Sequence, residues 1–169
     1  VVGRYYPNVT YFQILNEPDV FFDIGPTEYV QDYLKPAHDV IRAKFPLVKI
    51  VSAAPKGQSS GIGKFAEMSF AGADEYCDFR AVHIYFENDL FSPWSSFRLA
   101  TDRPIMVTET GTKKPGRHLS WWQNEMEEMK RVLDTEYIFY YVLLELPFTG
   151  YEIITGETTS AGEIIPASG

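Results

Sequence analysis

Cysteine is almost missing from this sequence, because Cys77 is the single one among 169 residues. One cysteine cannot form an internal disulfide, and it excludes a metal site built on several thiolates. The sequence also lacks an apolar run of about 18 residues, so it predicts no transmembrane helix. The first residues have neither the layout of a signal peptide nor an initiator methionine, which leaves the cellular location open.

Basic residues are in the minority, since 15 lysines and arginines face 23 acidic residues and the formal net charge is −8. Nucleic-acid binding needs a basic patch, and none is evident, so neither nucleic acid nor a membrane is an expected partner. A glycine-rich GxGxxG loop is missing, which argues against a nucleotide-binding fold. Aromatic residues reach 15%, a level used both by hydrophobic cores and by sugar-binding clefts.

Five segments rich in apolar and β-branched residues alternate with segments of helical periodicity. The predicted strands are residues 10–15, 49–54, 79–86, 104–110 and 137–146. Apolar strands separated by helices predict an α/β fold, a parallel sheet covered by helices, and no linker divides the chain into domains. An open doubly wound sheet and a (β/α) barrel both fit this order.

Polar side chains follow several predicted strands at the point where each apolar run stops. Asn16 and Glu17 end the first strand, His83 and Tyr85 lie near the end of the third, and Glu109 ends the fourth. The last strand ends near Glu145. In parallel α/β folds the functional site lies at the carboxyl ends of the strands, so we expect these residues to share one rim.

Two glutamates on one rim suit glycoside hydrolysis, in which one carboxylic acid protonates the leaving oxygen and the other carboxylate attacks the sugar or activates water. Tyr85 is placed to donate a hydrogen bond to the ionised carboxylate, and Asn16 to bind a sugar hydroxyl. Trp94 and Trp121 lie in or near predicted rim loops, where they are candidates to stack on sugar rings. Each also has a plainer interpretation: His83 and Tyr85 suit a packed strand, and tryptophans suit a core.

The segments ILNEPD, HIYF and PIMVTETG, in this order, resemble strands four, six and seven of the clan A glycoside hydrolases, cellulase-like retaining enzymes with a (β/α)8 barrel. NEPD followed by a helix containing YVQDYL is similar to family 39 and its neighbours. The resemblance implies that Glu17 is the general acid/base and Glu109 the nucleophile, with His83 and Tyr85 lining the site. It implies hydrolysis of β-linked oligo- or polysaccharides or β-glycosides without a cofactor or a metal.

The resemblance covers strands four to eight only, so it implies a partial barrel of about five parallel strands in a single domain over residues 1–169. A full barrel needs roughly 250 residues. Strand eight of the clan usually carries a tryptophan, which is missing here, and Tyr141 or Glu145 is the candidate replacement.

A short chain of this kind has several interpretations. It is a fragment of the enzyme, or a half-barrel completed by its own copy or by a complementary N-terminal half, because unpaired strand edges favour association. Alternatively it is an inactive carbohydrate-binding protein, or an interaction domain without a sugar site. The sequence does not decide between them, nor does it identify the sugar.

Overall fold

The computed structural model describes residues 1–56, 59–86, 94–112 and 118–140, and it is a mixed α/β structure. Five strands are present in these ranges: β1 Tyr11–Gln13, β2 Lys49–Val51, β3 Arg80–Phe86, β4 Ile105–Thr112 and β5 Ile138–Tyr140. The α-helices are α1 Val2–Tyr5, α2 Pro18–Phe21, α3 Pro26–Glu28, α4 Lys35–Lys44, α5 Ser59–Phe70, α6 Trp94–Leu99 and α7 His118–Leu133. The predicted alternation of strands and helices is therefore confirmed for the described ranges. None of their helices is long and apolar enough to cross a membrane.

The strands form two small sheets, and all pairs are parallel as predicted. β1 pairs with β2 in one sheet, and the other has the order β3-β4-β5. A single bridge between Val51 and Phe79 links the two sheets. There the Ser52 amide donates to the Phe79 carbonyl at 2.9 Å, and the Phe79 amide donates to the Ile50 carbonyl at 3.1 Å. Strands that follow one another along the chain are thus neighbours in space.

Helices cover one face of the strands, and the opposite face carries a smaller apolar cluster. Val82 and Ile84 of β3 pack against the helices in a cluster that includes Phe65, Phe97, Met129 and Leu133. The intervening residue Ala81 lies in a separate cluster with Val51, Ala54 and Met106. This alternation follows from the two-residue period of a strand. We call the face that carries Ala81 and Met106 the inner face.

Aromatic rings connect the first and last strands across the inner face. Tyr11 of β1 lies 5.6 Å from Phe79 and 5.9 Å from Tyr137, measured between ring centroids. Phe79 and Tyr137 are 5.3 Å apart. These contacts bring β1 close to the residues that precede β3 and β5.

The helical segment that contains Pro36 is interrupted, with a π-helical turn at Tyr29–Leu34 between α3 and α4. Proline cannot donate the hydrogen bond expected inside a helix, and the wider π turn accommodates that loss. The extra residue in a π turn also rotates the following helix face. In the helix that follows, Val40 is 57% exposed, whereas Ile41 is buried.

Arg80 is a fully buried arginine at the start of β3, on the face covered by helices. Its guanidinium donates to the Phe65 carbonyl, to Ser69 and to the Asp74 carboxylate. It also lies 4.2 Å from the centroid of the Phe65 ring. These contacts satisfy most of a buried charge and tie β3 to α5 and to the turn after it.

Cys77 is buried, as expected for a small apolar residue, and its thiol donates to the Ala73 carbonyl. Burial raises the pKa of the Cys77 thiol to about 12. The thiol is therefore protonated at neutral pH and is not an activated nucleophile.

Tyr29 holds together the ends of β1 and β2 beneath the rim. Its side chain is fully buried, and its hydroxyl donates to the Ile14 carbonyl at 2.8 Å while accepting from the Ala53 amide at 2.7 Å. Burial raises the pKa of the Tyr29 hydroxyl far above its usual value, so it remains a neutral donor and acceptor.

Replacing Tyr29 by phenylalanine should lower the free energy of unfolding by about 1–3 kcal/mol, because the buried Ala53 amide and Ile14 carbonyl both lose a partner. Denaturant unfolding of the purified chain measures the change. Tyr33→Phe is the matched control, since that side chain is 39% exposed and should change stability little. Equal losses in the two variants would contradict the assigned role of the Tyr29 hydroxyl.

Asp78 fastens the start of β3 to β2 and to the end of α4. Its Oδ2 accepts from the Ile50 amide at 2.7 Å and from the Arg42 guanidinium. Partial burial acts to raise the pKa of this carboxyl, but the Ile50 hydrogen bond and Arg42 outweigh it and hold the pKa below its ordinary value. The folded state therefore favours the ionised form.

A lowered folded pKa means that the Asp78 contribution is complete above the ordinary carboxyl range and is lost as the pH falls through the lowered value. We expect Asp78→Asn to reduce stability at pH 7 and to weaken the decline in stability between about pH 5 and 2. Thermal unfolding across that range measures both effects. The exposed-site variant Asp32→Asn should retain the parental decline, and an unchanged decline in Asp78→Asn would refute the assignment.

Candidate active site

Two residues just after β1, Leu15 and Glu17, have a left-handed backbone conformation, which determines where the side chains of Asn16 and Glu17 point. Leu15 has φ +67° and Glu17 has φ +39°, which are uncommon for residues with side chains. A regular strand would point Asn16 and Glu17 to opposite faces. Leu15 instead packs against the helix-covered core, and both polar residues reach the rim of the inner face. The irregular backbone thus brings neighbouring side chains into one site.

A β-bulge has the same effect in β4. Val82 pairs with Val107 and His83 pairs with Glu109, so Thr108 is an extra residue between two paired positions. Met106 lies on the inner face, and uninterrupted alternation would turn Glu109 toward the helices. The bulge at Thr108 returns Glu109 to the inner face, beside His83 and Tyr85.

His83 lies between the two glutamates. Its Nδ1 is hydrogen-bonded to Oε1 of Glu17 at 2.8 Å, and its Nε2 lies 3.6 Å from Oε1 of Glu109. The imidazole is fully buried, whereas the side chains of Glu17 and Glu109 are 16% and 23% exposed. A buried ring between two partly exposed carboxylates fixes their spacing and leaves both within reach of a small molecule.

Glu109 accepts hydrogen bonds on both carboxylate oxygens. The Tyr85 hydroxyl donates to Oε2 at 2.6 Å, and the Asn16 amide donates to Oε1 at 3.1 Å. Gln13, on β1, donates in turn to the Asn16 Oδ1 at 3.4 Å. Donors from β3 and from the segment that follows β1 therefore orient the Glu109 carboxylate.

Asp19 supports the turn that carries Glu17. Its carboxylate accepts from the Lys56 amide at 3.1 Å and from the Lys64 ammonium at 2.7 Å, and its side chain is only 7% exposed. The Glu17 carbonyl accepts from the amides of Val20 and Phe21 in the short helix α2. These contacts fasten α2 to the segment after β2 and to α5, which stabilises the strained backbone at Glu17.

The structure brings together the predicted site residues Asn16, Glu17, His83, Tyr85 and Glu109. The prediction that Trp94 lies in a rim loop and stacks on a sugar ring is wrong. It is the first residue of α6 and is buried in the cluster under β3 and β4, where its ring completes the core. Trp121 lies within α7, but its side chain is outside the described part of the chain, as are Tyr141 and Glu145.

Sequence reasoning missed three supporting residues, Gln13, Asp19 and Tyr29. Gln13 and Asp19 flank the Asn16-Glu17 pair, so their proximity in the sequence was the available signal. Tyr29 lies one residue before the apolar periodicity that begins at Val30, and no local pattern distinguishes its buried hydroxyl from an ordinary packing tyrosine.

The arrangement offers two kinds of chemistry. A pair of carboxylates at this separation suits acid, base or nucleophilic catalysis. One donor atom from each of Glu17, His83 and Glu109 lies within 4.8 Å of the others, so the same residues form a potential metal-binding group.

No protein-family model matches this chain, and no curated protein matches it.

The two threonines that flank Glu109 provide a test of the bulge. The Thr108 hydroxyl is buried and has no hydrogen-bond partner among the described residues, whereas the Thr110 hydroxyl donates to the Ile84 carbonyl at 2.7 Å. Thr108→Val should therefore keep or raise stability, by up to about 1 kcal/mol, and Thr110→Val should lower it by about 0.5–1.5 kcal/mol. Chemical denaturation of both variants measures the contrast. Equal destabilisation would mean that the Thr108 hydroxyl is also hydrogen-bonded, contrary to its assignment as the unpaired extra residue of the bulge.

Proposed function

We propose that this chain carries the catalytic centre of a retaining glycosidase that hydrolyses β-linked oligo- or polysaccharides or β-glycosides. Glu109 is the nucleophile and Glu17 is the general acid and base. The observation that carries the proposal is the geometry of this pair, with each carboxylate held by its own set of partners at one rim of the inner face.

The separation of the carboxylates favours a retaining reaction. A donor oxygen of Glu17 and one of Glu109 lie within 4.8 Å. Retaining glycosidases have carboxyl groups about 5–5.5 Å apart, whereas inverting enzymes leave about 6.5–9.5 Å for an intervening water. A closest oxygen pair within 4.8 Å is nearer to the retaining spacing than to the inverting one, which supports direct attack by one carboxylate.

In the first step the Glu109 carboxylate attacks the anomeric carbon and the bond from that carbon to the glycosidic oxygen breaks. The Glu17 carboxylic acid gives its proton to the departing oxygen, and the sugar becomes an ester of Glu109. Tyr85 and Asn16 hold the attacking carboxylate in one orientation, which lowers the entropic part of the barrier.

In the second step Glu17, now ionised, takes a proton from water while the water oxygen attacks the anomeric carbon. The bond to Glu109 breaks, and the carboxylate is restored. His83 supports both steps, because its Nδ1 contact fixes one oxygen of Glu17 and leaves the other to exchange the proton.

The finer architecture that we propose is five consecutive strands of a (β/α)8 barrel. Parallel strands that neighbour one another in chain order, with a bridge from β2 to the start of β3, support this over a doubly wound sheet, where the order reverses. The contact of Tyr11 with Tyr137 supports curvature of the strands toward closure.

A binding protein without turnover, or a half-barrel that needs a partner, is the alternative. The inner-face aromatics Tyr11 and Tyr137 are 40% and 39% exposed, and Phe139 on β5 is 54% exposed. Such apolar exposure favours coverage by a second copy or by complementary strands, which would complete the cleft.

The assay is hydrolysis of a panel of aryl β-glycosides by the isolated chain. We expect turnover that Glu109→Gln lowers by about 1,000-fold or more, because the nucleophile is lost. Glu17→Gln should slow substrates with poor leaving groups much more than nitrophenyl glycosides, since nitrophenolate departs without a proton.

Glu67→Gln is the control, because Glu67 is an exposed carboxylate on α5 and should leave turnover unchanged. Turnover that survives in Glu109→Gln would refute the proposed nucleophile. Sugar binding by the parent chain without turnover would favour the binding protein instead.

A further inference from the structure

We propose that His83 and Glu109 also bind a divalent transition-metal ion of the Zn²⁺ class, and that the bound ion blocks the catalytic pair. The ion would lie between Nε2 of His83 and Oε1 of Glu109, with water in its remaining positions. Binding of the ion rests on geometry alone, and the expected inhibition rests on the proposed function.

The first support for the site is the ring nitrogen Nε2 of His83. Nε2 is buried and has no hydrogen-bond partner among the described residues, and its nearest acidic atom is Oε1 of Glu109 at 3.6 Å. Zn–N and Zn–O bonds are about 2.0–2.2 Å long, so two ligands in a tetrahedral site are about 3.3–3.6 Å apart. The two atoms already have the separation that a shared ion requires.

The second support is that neighbouring residues orient the two ligand atoms. Histidines that bind metals usually donate their other ring N–H to a carboxylate, which fixes the tautomer and the ring orientation. Here Nδ1 of His83 lies 2.8 Å from Oε1 of Glu17, and when its N–H is donated to that carboxylate Nε2 carries the lone pair. Tyr85 holds the opposite oxygen of Glu109, so Oε1 is directed toward the imidazole.

The donor set selects the type of ion. Imidazole nitrogen suits Zn²⁺ and its neighbours in the transition series, whereas Ca²⁺ prefers six to eight oxygen ligands. One nitrogen and one carboxylate oxygen in a partly buried site therefore favour Zn²⁺ over Ca²⁺. An ion on Oε1 of Glu109 would engage the lone pairs needed for attack on a sugar, which is why we expect it to inhibit.

The test is calorimetric titration of ZnCl₂ into the sugar-free chain, with CaCl₂ in parallel. We expect saturable binding of one Zn²⁺, weaker by about tenfold or more in His83→Gln and in Glu109→Gln. Glu17→Gln should also weaken it, by about tenfold, through loss of the contact that orients the ring. Ca²⁺ should produce no saturable heat at the same concentrations.

His38→Gln is the matched control, because His38 beside Asp39 is another histidine–carboxylate pair, at 3.0 Å, and lies away from the site. Its affinity for Zn²⁺ should equal that of the parent. If His83→Gln does not fold, as judged by circular dichroism, ¹⁵N NMR of the parent imidazoles decides: Zn²⁺ should shift Nε2 of His83 and leave His38 unchanged.

Loss of binding in His38→Gln, unchanged affinity in Glu109→Gln, or no saturable binding in the parent chain would each overturn the metal site. Hydrolysis without Zn²⁺ binding would refute this inference and leave the proposed function intact. Zn²⁺ binding at His83 without any hydrolysis would refute the proposed function and leave the metal site intact.

Discussion

Adjacent side chains of a β-strand point to opposite faces, and the candidate site depends on two places where the chain departs from this rule. Left-handed backbone at Leu15 and Glu17 turns Asn16 and Glu17 toward the same rim, and the bulge at Thr108 turns Glu109 toward them. Without the left-handed residues, either Asn16 or Glu17 would face the helices. Without the bulge, Glu109 would face them. Backbone strain of this kind persists only where the surroundings stabilise it, and it is concentrated at functional sites.

Three side chains, Asp19, Tyr29 and His83, hold the site in this geometry. Asp19 fastens the turn after Glu17 through Lys56 and Lys64, and Tyr29 joins β1 to β2 just below the rim. The buried His83 then sets the distance between the two carboxylates. The same preorganisation supports both proposals, the covalent sugar intermediate and the inhibitory metal ion, since each would require two donors at a fixed spacing.

Much of this arrangement is predictable from the sequence, because the apolar runs before Asn16-Glu17 and before Glu109 mark parallel strands whose carboxyl-terminal parts form one rim. The predicted strand end at Glu109 is wrong, since β4 continues to Thr112. The fine geometry is not predictable, since neither the bulge at Thr108 nor the π turn before Pro36 leaves a local signal. Trp94 shows a related limit: aromatic residues suit a sugar cleft and a core equally, and only three-dimensional packing placed this one in the core. The buried Arg80 is similar, because its partners are dispersed between Phe65 and Asp74.

The proposed function requires a covalent bond between Glu109 and the sugar. It is tested most directly by incubating the chain with 2-deoxy-2-fluoro β-glycosides that carry a good leaving group, which form the glycosyl ester faster than water removes it. Intact-mass spectrometry followed by peptide mapping locates the label. We expect one fluorosugar per chain, attached to Glu109. A label on another residue, or no label with any sugar of the panel, would refute Glu109 as the nucleophile.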